Sequence, residues 1–105
     1  MLSEKLLAAM TQKECLDLLK QAESHIKENF EVRSMSLFGS TARGSNTDQS
    51  DVDLFINMPP NAFKLIRLGN YLEHLLGKSV DLVRDSKYLN PVLLKEIEKD
   101  GISIF

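Results

Sequence analysis

The chain has 105 residues, 43% of them hydrophobic, which is enough for one domain with its own core but too short to include a separate substrate-binding domain. Lys and Arg number 13 and Asp and Glu number 15, a formal net charge of -2, so no basic field is present to hold a nucleic acid duplex. We therefore expect one domain over residues 1–105 that does not bind nucleic acid directly. An enzyme of this size would have to work from one small sheet-and-helix unit or use a partner to complete its cleft.

Cysteine content and the first residues favour a cytoplasmic protein. Cys15 is the only cysteine, which excludes an internal disulfide and a cysteine-based zinc site and is typical of a reducing compartment. Its place on the apolar side of a helix predicts a core residue rather than a nucleophile. The first ten residues include Glu4 and Lys5 and no long apolar run, so we expect neither a membrane span nor a signal peptide.

The first half of the chain predicts helices followed by one strand. Residues 3–10 show a short helical pattern. Thr11 opens a capping box, and the apolar residues after it recur at helical spacing, which predicts one helix ending near Asn29. Residues 32–38 are typical of a strand, and the small, polar residues 40–50 are typical of a loop that has room for a short helical turn.

A second strand and a long helix follow. Residues 51–58 alternate between apolar and other side chains, and two prolines stop this strand. Asn61 is a suitable cap for a helix that ends at Gly77. We expect this helix to bury an apolar stripe of Ala62, Leu65, Ile66, Leu72 and either Leu75 or Leu76.

The remaining elements complete an α/β pattern. Residues 80–83 predict a third strand, and Asn90 followed by Pro91 predicts a last helix that continues to about Lys99. Residues 102–105 are long enough for a short final strand. Since strands alternate with helices along the chain, the fold class is α/β.

A glycine-serine turn follows the first predicted strand. At Gly39 the backbone amides can approach an anion closely, and the Ser40 hydroxyl can donate a hydrogen bond to it. Arg43 could add a cation for a phosphate oxygen. Such turns are common, however, so Ser40 as a turn or helix cap and Arg43 as a surface ion pair are alternatives.

Two acids share one face of the second strand. Asp51 and Asp53 are two residues apart, so both project from the same side at a backbone separation of roughly 6–7 Å. Asp81 lies in another apolar strand and is the obvious third acid. Carboxylates of this kind suit Mg²⁺ with substrate phosphates. The alternative is a solvated strand face, which the expected interior position of this strand disfavours.

These residues resemble a known family. Gly39-Ser40, ten further residues and then Asp51-x-Asp53 resemble the signature of the DNA polymerase β-like nucleotidyltransferase superfamily. The segments GSTARG, SDVDL and VDLV resemble, more narrowly, the minimal nucleotidyltransferase (MNT) group. The resemblance extends over nearly the whole chain and implies a small mixed β-sheet flanked by helices.

The resemblance also implies a role for each matching residue. It implies that three acids are the catalytic residues and bind two Mg²⁺ ions: Asp51, Asp53 and Asp81. The triphosphate of ATP would be held by Gly39 and Ser40, with Arg43 and Ser50 near the nucleotide. With all three acids present, the resemblance implies an active enzyme.

The MNT group is similar to the antitoxin half of MNT–HEPN toxin–antitoxin pairs. This implies transfer of AMP from ATP to a tyrosine hydroxyl of a HEPN ribonuclease toxin that the protein also binds, with Asp81 as the candidate base. One alternative is an antitoxin that acts by occlusion without turnover. Another is a small-molecule nucleotidyltransferase of the antibiotic-modifying type, disfavoured because such enzymes usually carry an additional helical region.

Overall fold

The computed structural model describes residues 9–105, which form an α/β fold with a small mixed sheet flanked by helices, as predicted. Within these residues there are four strands and five helices. The predicted helix over residues 3–10 lies outside them, apart from its last two residues, which are not helical. Within residues 9–105 no helix is long and apolar enough to cross a bilayer. The elements in chain order are α1 (Gln12–Gln21), α2 (Glu23–Phe30), β1 (Ser34–Phe38), α3 (Gly39–Arg43), β2 (Val52–Asn57), α4 (Ala62–Leu76), β3 (Val80–Arg84), α5 (Pro91–Asp100) and β4 (Ile102–Ser103).

The helix ends that the sequence predicted are confirmed by their hydrogen bonds. The side chains of Thr11 and Asn61 each accept a hydrogen bond of 3.0 Å from the backbone amide three residues further on. Asn90 accepts one of 2.8 Å from the amide two residues on. Gly77 ends α4 in the left-handed conformation, at φ 66°. Each cap satisfies a backbone group that has no partner inside its helix.

The single helix predicted from Thr11 to Asn29 is wrong, because the structure divides it at Ala22. Ala22 has φ -91° and ψ 3°, outside the helical range, and separates α1 from α2. Its amide still donates to the carbonyl of Leu18 at 3.2 Å, and its carbonyl accepts from Ile26 at 2.9 Å. Because the helical hydrogen bonds continue across Ala22, the apolar periodicity continues as well. The periodicity therefore did not indicate that the helix is divided there.

The predicted apolar stripe of α4 is partly wrong. Ile66 is 63% exposed and Ala62 is exposed, whereas Leu68 is fully buried with Leu72 and Leu76. Ile66 and Leu72 are six residues apart, so they point about 120° away from each other around the helix. Leu68 is one turn before Leu72 and faces the same side, which is the side that packs against the sheet.

The sheet has the strand order β3-β2-β1-β4, so β2 is an interior strand as expected. β1 pairs antiparallel with both β2 and β4, whereas β2 and β3 run parallel. One face carries the core, with side chains from α1, α2 and α4 packed against it. The other face of β2 and β3 carries the two polar positions Asp53 and Asp81, and α5 borders it.

Candidate active site

Gly39 brings the end of β1 into direct contact with an acid of β2. The chain leaves β1 at Phe38, which pairs with Asp53 across the antiparallel strands. Gly39 has φ 72°, and a Cβ atom placed on it would overlap Oδ2 of Asp53. Only glycine combines this backbone conformation with this close approach. The glycine-serine turn and the first predicted acid are therefore a single packed unit.

Helix α3 is short, and contacts outside the helix fix its position. The side chain of Gln12 donates a hydrogen bond of 2.7 Å to the carbonyl of Ala42. The amide of Ser45 donates to the carbonyl of Ser40 at 3.0 Å, after Gly44 has turned the chain with φ 77°. Thr41 is 1% exposed, which anchors the middle of the helix. Ser40 is thus held in the first turn, where amide groups lack partners within the helix.

The parallel pairing of β2 and β3 brings two acids side by side. Asp53 and Asp81 are register partners, so their Cα atoms are about 4.8 Å apart and their side chains project from the same face. Asp51 lies one residue before β2 and is exposed. The three acids that the sequence analysis selected therefore lie in one region, with Asp51 at its edge.

Burial, and after it the charge of neighbouring acids, makes ionisation of Asp53 unfavourable. Its pKa is raised above the ordinary value of 3.8, first by burial of the carboxyl and then by the charges of Asp81 and Asp51. The guanidinium of Arg43 opposes this shift. The acids thus carry more negative charge than the surrounding residues compensate, and a bound cation would relieve it.

The donor chemistry fits a magnesium ion. Carboxylate oxygens are the ligands that Mg²⁺ prefers, usually one or two from the protein with water and substrate phosphates completing the set. Within residues 9–105, no three acidic, histidine or cysteine side chains are already gathered into a metal-holding arrangement. The fit rests on the donor type and on the uncompensated charge at Asp53.

A cleft of about 410 Å³ opens in front of the acid pair. Five of the seven predicted site residues line it: Gly39, Ser40, Arg43, Asp53 and Asp81. The sequence analysis did not select its other lining residues, which are Phe38, Val83, Leu93 and Glu96. The cleft therefore joins the predicted phosphate-binding turn and the acids to a wall contributed by β3 and α5.

Arg43 forms the ion pair that was considered as an alternative, and it also lines the cleft, so its contact with a phosphate stays a prediction. It lines the cleft, and its Nη1 donates to Oδ2 of Asp100 at 3.0 Å, in an ion pair that leaves its side chain 50% exposed. Asp100 is the last residue of α5. The ion pair thus ties α3 to α5 across the cleft while the guanidinium stays close enough to Asp53 to lower its pKa.

Ser50 lies in a turn rather than in the cleft. Its hydroxyl accepts a hydrogen bond of 2.9 Å from the amide of Thr47, and its own amide donates to the Thr47 carbonyl at 3.1 Å. This closes the loop just before Asp51. A contact between Ser50 and the nucleotide stays a prediction.

The residue spacing in α5 could have indicated the lining residues that the sequence analysis did not select. Leu93, Glu96 and Asp100 follow one another at three and four residues, so they share one face of the helix. Leu93 and Glu96 line the cleft, and Asp100 binds Arg43. Val83 is two residues after Asp81 and therefore lies on the same face of β3.

Several known proteins are similar to this chain in sequence. A Methanocaldococcus jannaschii protein, provisionally named a protein adenylyltransferase, is 40% identical over 96 residues, covering 90% of this chain and 98% of that protein. Protein adenylyltransferase MntA of Thermococcus cleftensis is 39% identical over 82 residues, covering 76% of this chain and 83% of that protein.

Solved structures share the fold. A structure provisionally described as a minimal nucleotidyltransferase has a TM-score of 0.72 at 29% identity, covering 89% of this chain and 95% of that one. A toxin–antitoxin structure with AMP-PNP has a TM-score of 0.65 at 21% identity, covering 91% of this chain and 73% of the other. The structure of a tri-AMPylated Shewanella oneidensis HEPN toxin in complex with MNT antitoxin has a TM-score of 0.64 at 18% identity, covering 90% of this chain and 72% of that one.

The family match includes every predicted site residue. It extends over residues 20–105, from the end of α1 to the end of the chain. The resemblance drawn from the glycine-serine turn and the three acids is therefore confirmed. This chain belongs to the polymerase β nucleotidyltransferase family and is a nucleotidyltransferase.

Proposed function

We propose that this nucleotidyltransferase is a cytoplasmic antitoxin that transfers AMP from ATP to a tyrosine hydroxyl of a HEPN ribonuclease toxin in a Mg²⁺-dependent reaction. Relatives 39–40% identical to it are named as protein adenylyltransferases. Proteins of the same fold occur in complexes with HEPN toxin and with AMP-PNP. On this proposal the docked toxin supplies the acceptor and completes the cleft.

The observation that carries the proposal is the packing of the turn against the acids. Gly39 touches the carboxylate of Asp53, and Asp53 pairs with Asp81, so an anion site and an acid site share one cleft. Backbone amides after Gly39, the Ser40 hydroxyl and the Arg43 guanidinium are suited to the oxygens of a triphosphate. This arrangement would leave the α-phosphorus beside the acid pair.

The reaction is an in-line displacement at that phosphorus. The tyrosine oxygen forms a bond to the α-phosphorus, the bond to the oxygen bridging to the β-phosphate breaks, and pyrophosphate leaves with the electron pair. The carboxylate of Asp81 takes the phenolic proton, as a base beside the attacking oxygen. Asp51, Asp53 and Asp81 would hold magnesium, which supplies charge neutralisation when bound. Positioning of the triphosphate by the glycine-serine turn supplies much of the remaining rate enhancement.

The test is AMP transfer from labelled ATP to the protein encoded by the neighbouring reading frame, expected to be all-helical with an R-x4-6-H element. The purified pair is incubated with Mg²⁺, and mass spectrometry identifies the modified residue. We expect label on a tyrosine of the partner, and its loss in the Asp51→Ala/Asp53→Ala variant. Asp85→Ala is the matched control, because Asp85 is an exposed acid just after β3 and outside the cleft.

The same experiment separates the alternatives. If the double variant inhibits the toxin without ATP as well as the unaltered protein does, occlusion alone accounts for the antitoxin action. If the neighbouring reading frame is unrelated and the enzyme modifies an aminoglycoside instead, the protein is a small-molecule nucleotidyltransferase. Label on the partner that does not depend on the acids would contradict the proposed chemistry.

A further inference from the structure

Besides the pair Asp53 and Asp81, the lining of the cleft includes two chemically different groups of residues. One group, the anion side, is formed by Gly39, Ser40 and Arg43. The other group, here called the acceptor side, is formed by Val83, Leu93 and Glu96. The acceptor side offers two apolar side chains and a carboxylate, which suits neither a triphosphate nor any other anion.

The apolar part of the acceptor side is exposed to the cleft rather than used in the core. Val80 and Leu82 of β3 pack against the hydrophobic core, whereas Val83 points to the opposite face and is half-buried. Leu93 of α5 is also half-buried and faces the same space. These two aliphatic side chains, one from a strand and one from a helix, line the same cleft and give it an apolar area, here called the slot, that is suited to a flat ring.

The slot is at the right distance from the candidate base. Val83 follows Asp81 by two residues on the same strand face, roughly 6–7 Å along the strand. A phenol whose hydroxyl lies at the Asp81 carboxylate would therefore have its ring beside Val83. Leu93 lines the same cleft and adds apolar surface for the ring.

Glu96 adds a negative charge one turn after Leu93 on the same face of α5. Its neighbour one turn on, Asp100, is neutralised by Arg43, but within residues 9–105 Glu96 forms no ion pair or side-chain hydrogen bond. Its carboxylate would repel a phosphate group and attract a cation. Glu96 is exposed at the mouth of the cleft, where a residue flanking the acceptor would pass.

We infer that the acceptor side binds the acceptor tyrosine, its ring between Val83 and Leu93, and that Glu96 selects a tyrosine with a Lys or Arg close to it in the partner. This inference rests on the proposed function and specifies the substrate of the same site. It assigns different lining residues to the two substrates, so we expect changes at Glu96 to act on the acceptor and to leave ATP binding unaltered.

The test measures the Michaelis constants for ATP and for the partner separately. In the Glu96→Gln variant we expect kcat/KM for the partner to fall about tenfold, as for loss of one charged contact, while KM for ATP is unchanged. Glu98→Gln is the matched control, since Glu98 is an exposed acid of the same helix that does not line the cleft. We expect it to alter neither constant.

A charge exchange gives the second measurement. Once the modified tyrosine is known, the basic residue nearest to it in the partner is changed to Glu, which we expect to slow transfer by the unaltered enzyme. Glu96→Lys should restore transfer to that partner and slow it for the original one. A rise in KM for ATP alone, or equal effects of Glu96 and Glu98 variants in an active enzyme, overturns the inference and leaves the proposed function intact. Absence of any AMP transfer by the unaltered pair overturns both.

Discussion

Gly39 and Asp53 are packed so closely that one methyl group on the glycine would occupy the position of a carboxylate oxygen of the acid. Gly39 also has φ 72°, a conformation that side chains with a Cβ atom rarely adopt. Gly39 begins helix α3 and Asp53 lies in strand β2, and the two residues are fourteen positions apart in the sequence. Their contact couples the position of the phosphate-binding turn to that of the acid.

We predict that Gly39→Ala inactivates the enzyme. The methyl group must displace Asp53 or the turn, so nucleotidyl transfer should fall by about 100-fold or more, and the free energy of unfolding should fall by roughly 2–4 kcal/mol from backbone strain and overlap. Gly44→Ala is the control, since Gly44 has φ 77° but nothing within 4 Å of an added Cβ. In this variant the free energy of unfolding should fall by about 1 kcal/mol, and activity should be retained. Equal activity losses in both variants would contradict the argument.

Asp53→Asn should be inactive but more stable than the unaltered protein. Because the pKa of Asp53 is raised in the folded state, the folded protein binds more protons here than the unfolded chain does. Stability is therefore lost as pH rises from the ordinary value of 3.8 through the raised pKa. Above that window the variant should have a Tm higher by about 2–5 °C. Thermal unfolding from pH 3 to 8 checks this, with Asp85→Asn as control; a variant less stable than the unaltered protein at pH 7 contradicts it.

Mg²⁺ should reverse the order of stability between the unaltered protein and Asp53→Asn. Binding to the folded state alone raises Tm, and the effect requires the acids that hold the ion. We expect Mg²⁺ with a non-hydrolysable ATP analogue to stabilise the unaltered protein and Asp85→Asn, and to leave Asp53→Asn unchanged. Chelation with EDTA should abolish the shift. A similar shift in Asp53→Asn would place the ion elsewhere.

The ion pair of Arg43 and Asp100 allows stability and nucleotide binding to be separated. Asp100→Asn removes the ion pair only, and because the pair is partly exposed its loss should cost less than about 1 kcal/mol. Arg43→Gln removes the ion pair and a cation of the anion side, so KM for ATP should rise about tenfold as well. Steady-state kinetics at varied ATP and urea unfolding check this. Equal KM values in the two variants would show that Arg43 is structural only.

Cys15 should be unreactive in the folded protein. Burial raises the pKa of its thiol to about 11, and the side chain is 0% exposed. At pH 8 the folded protein should thus have about 100-fold less thiolate than the unfolded chain, and access is blocked as well. Since Cys15 is the only cysteine, Ellman's reagent with and without urea measures it directly. Rapid reaction without urea would show that α1 opens readily.

Local sequence signals predicted most of the fold. The caps at Thr11, Asn61 and Asn90 use side chains that bond to amides two or three residues away, so the sequence contains both partners. The alternation in β2 likewise follows from strand geometry alone. The division at Ala22 and the buried side of α4 around Leu68 were missed, because both depend on what the helices pack against.

The candidate site was predictable to the extent that its residues are close in the chain. Gly39, Ser40 and the Asp51-x-Asp53 pair form a pattern of residue types at fixed spacing. Glu96 and Leu93 were missed because their role depends on how α5 crosses the sheet. Ser50, selected by resemblance, lies in a turn that its hydroxyl helps to close.

The sequence by itself determined which residue types are present and how they are spaced: a turn able to bind an anion, two acids on one strand face and an α/β alternation. Only the tertiary structure decided that Asp81 lies beside Asp53, that Gly39 touches the Asp53 carboxylate and that α5 lines the same cleft. The physical reason is that side-chain periodicity is a property of one element. Register between parallel strands and the packing of a helix across a sheet depend on the whole core that forms between them.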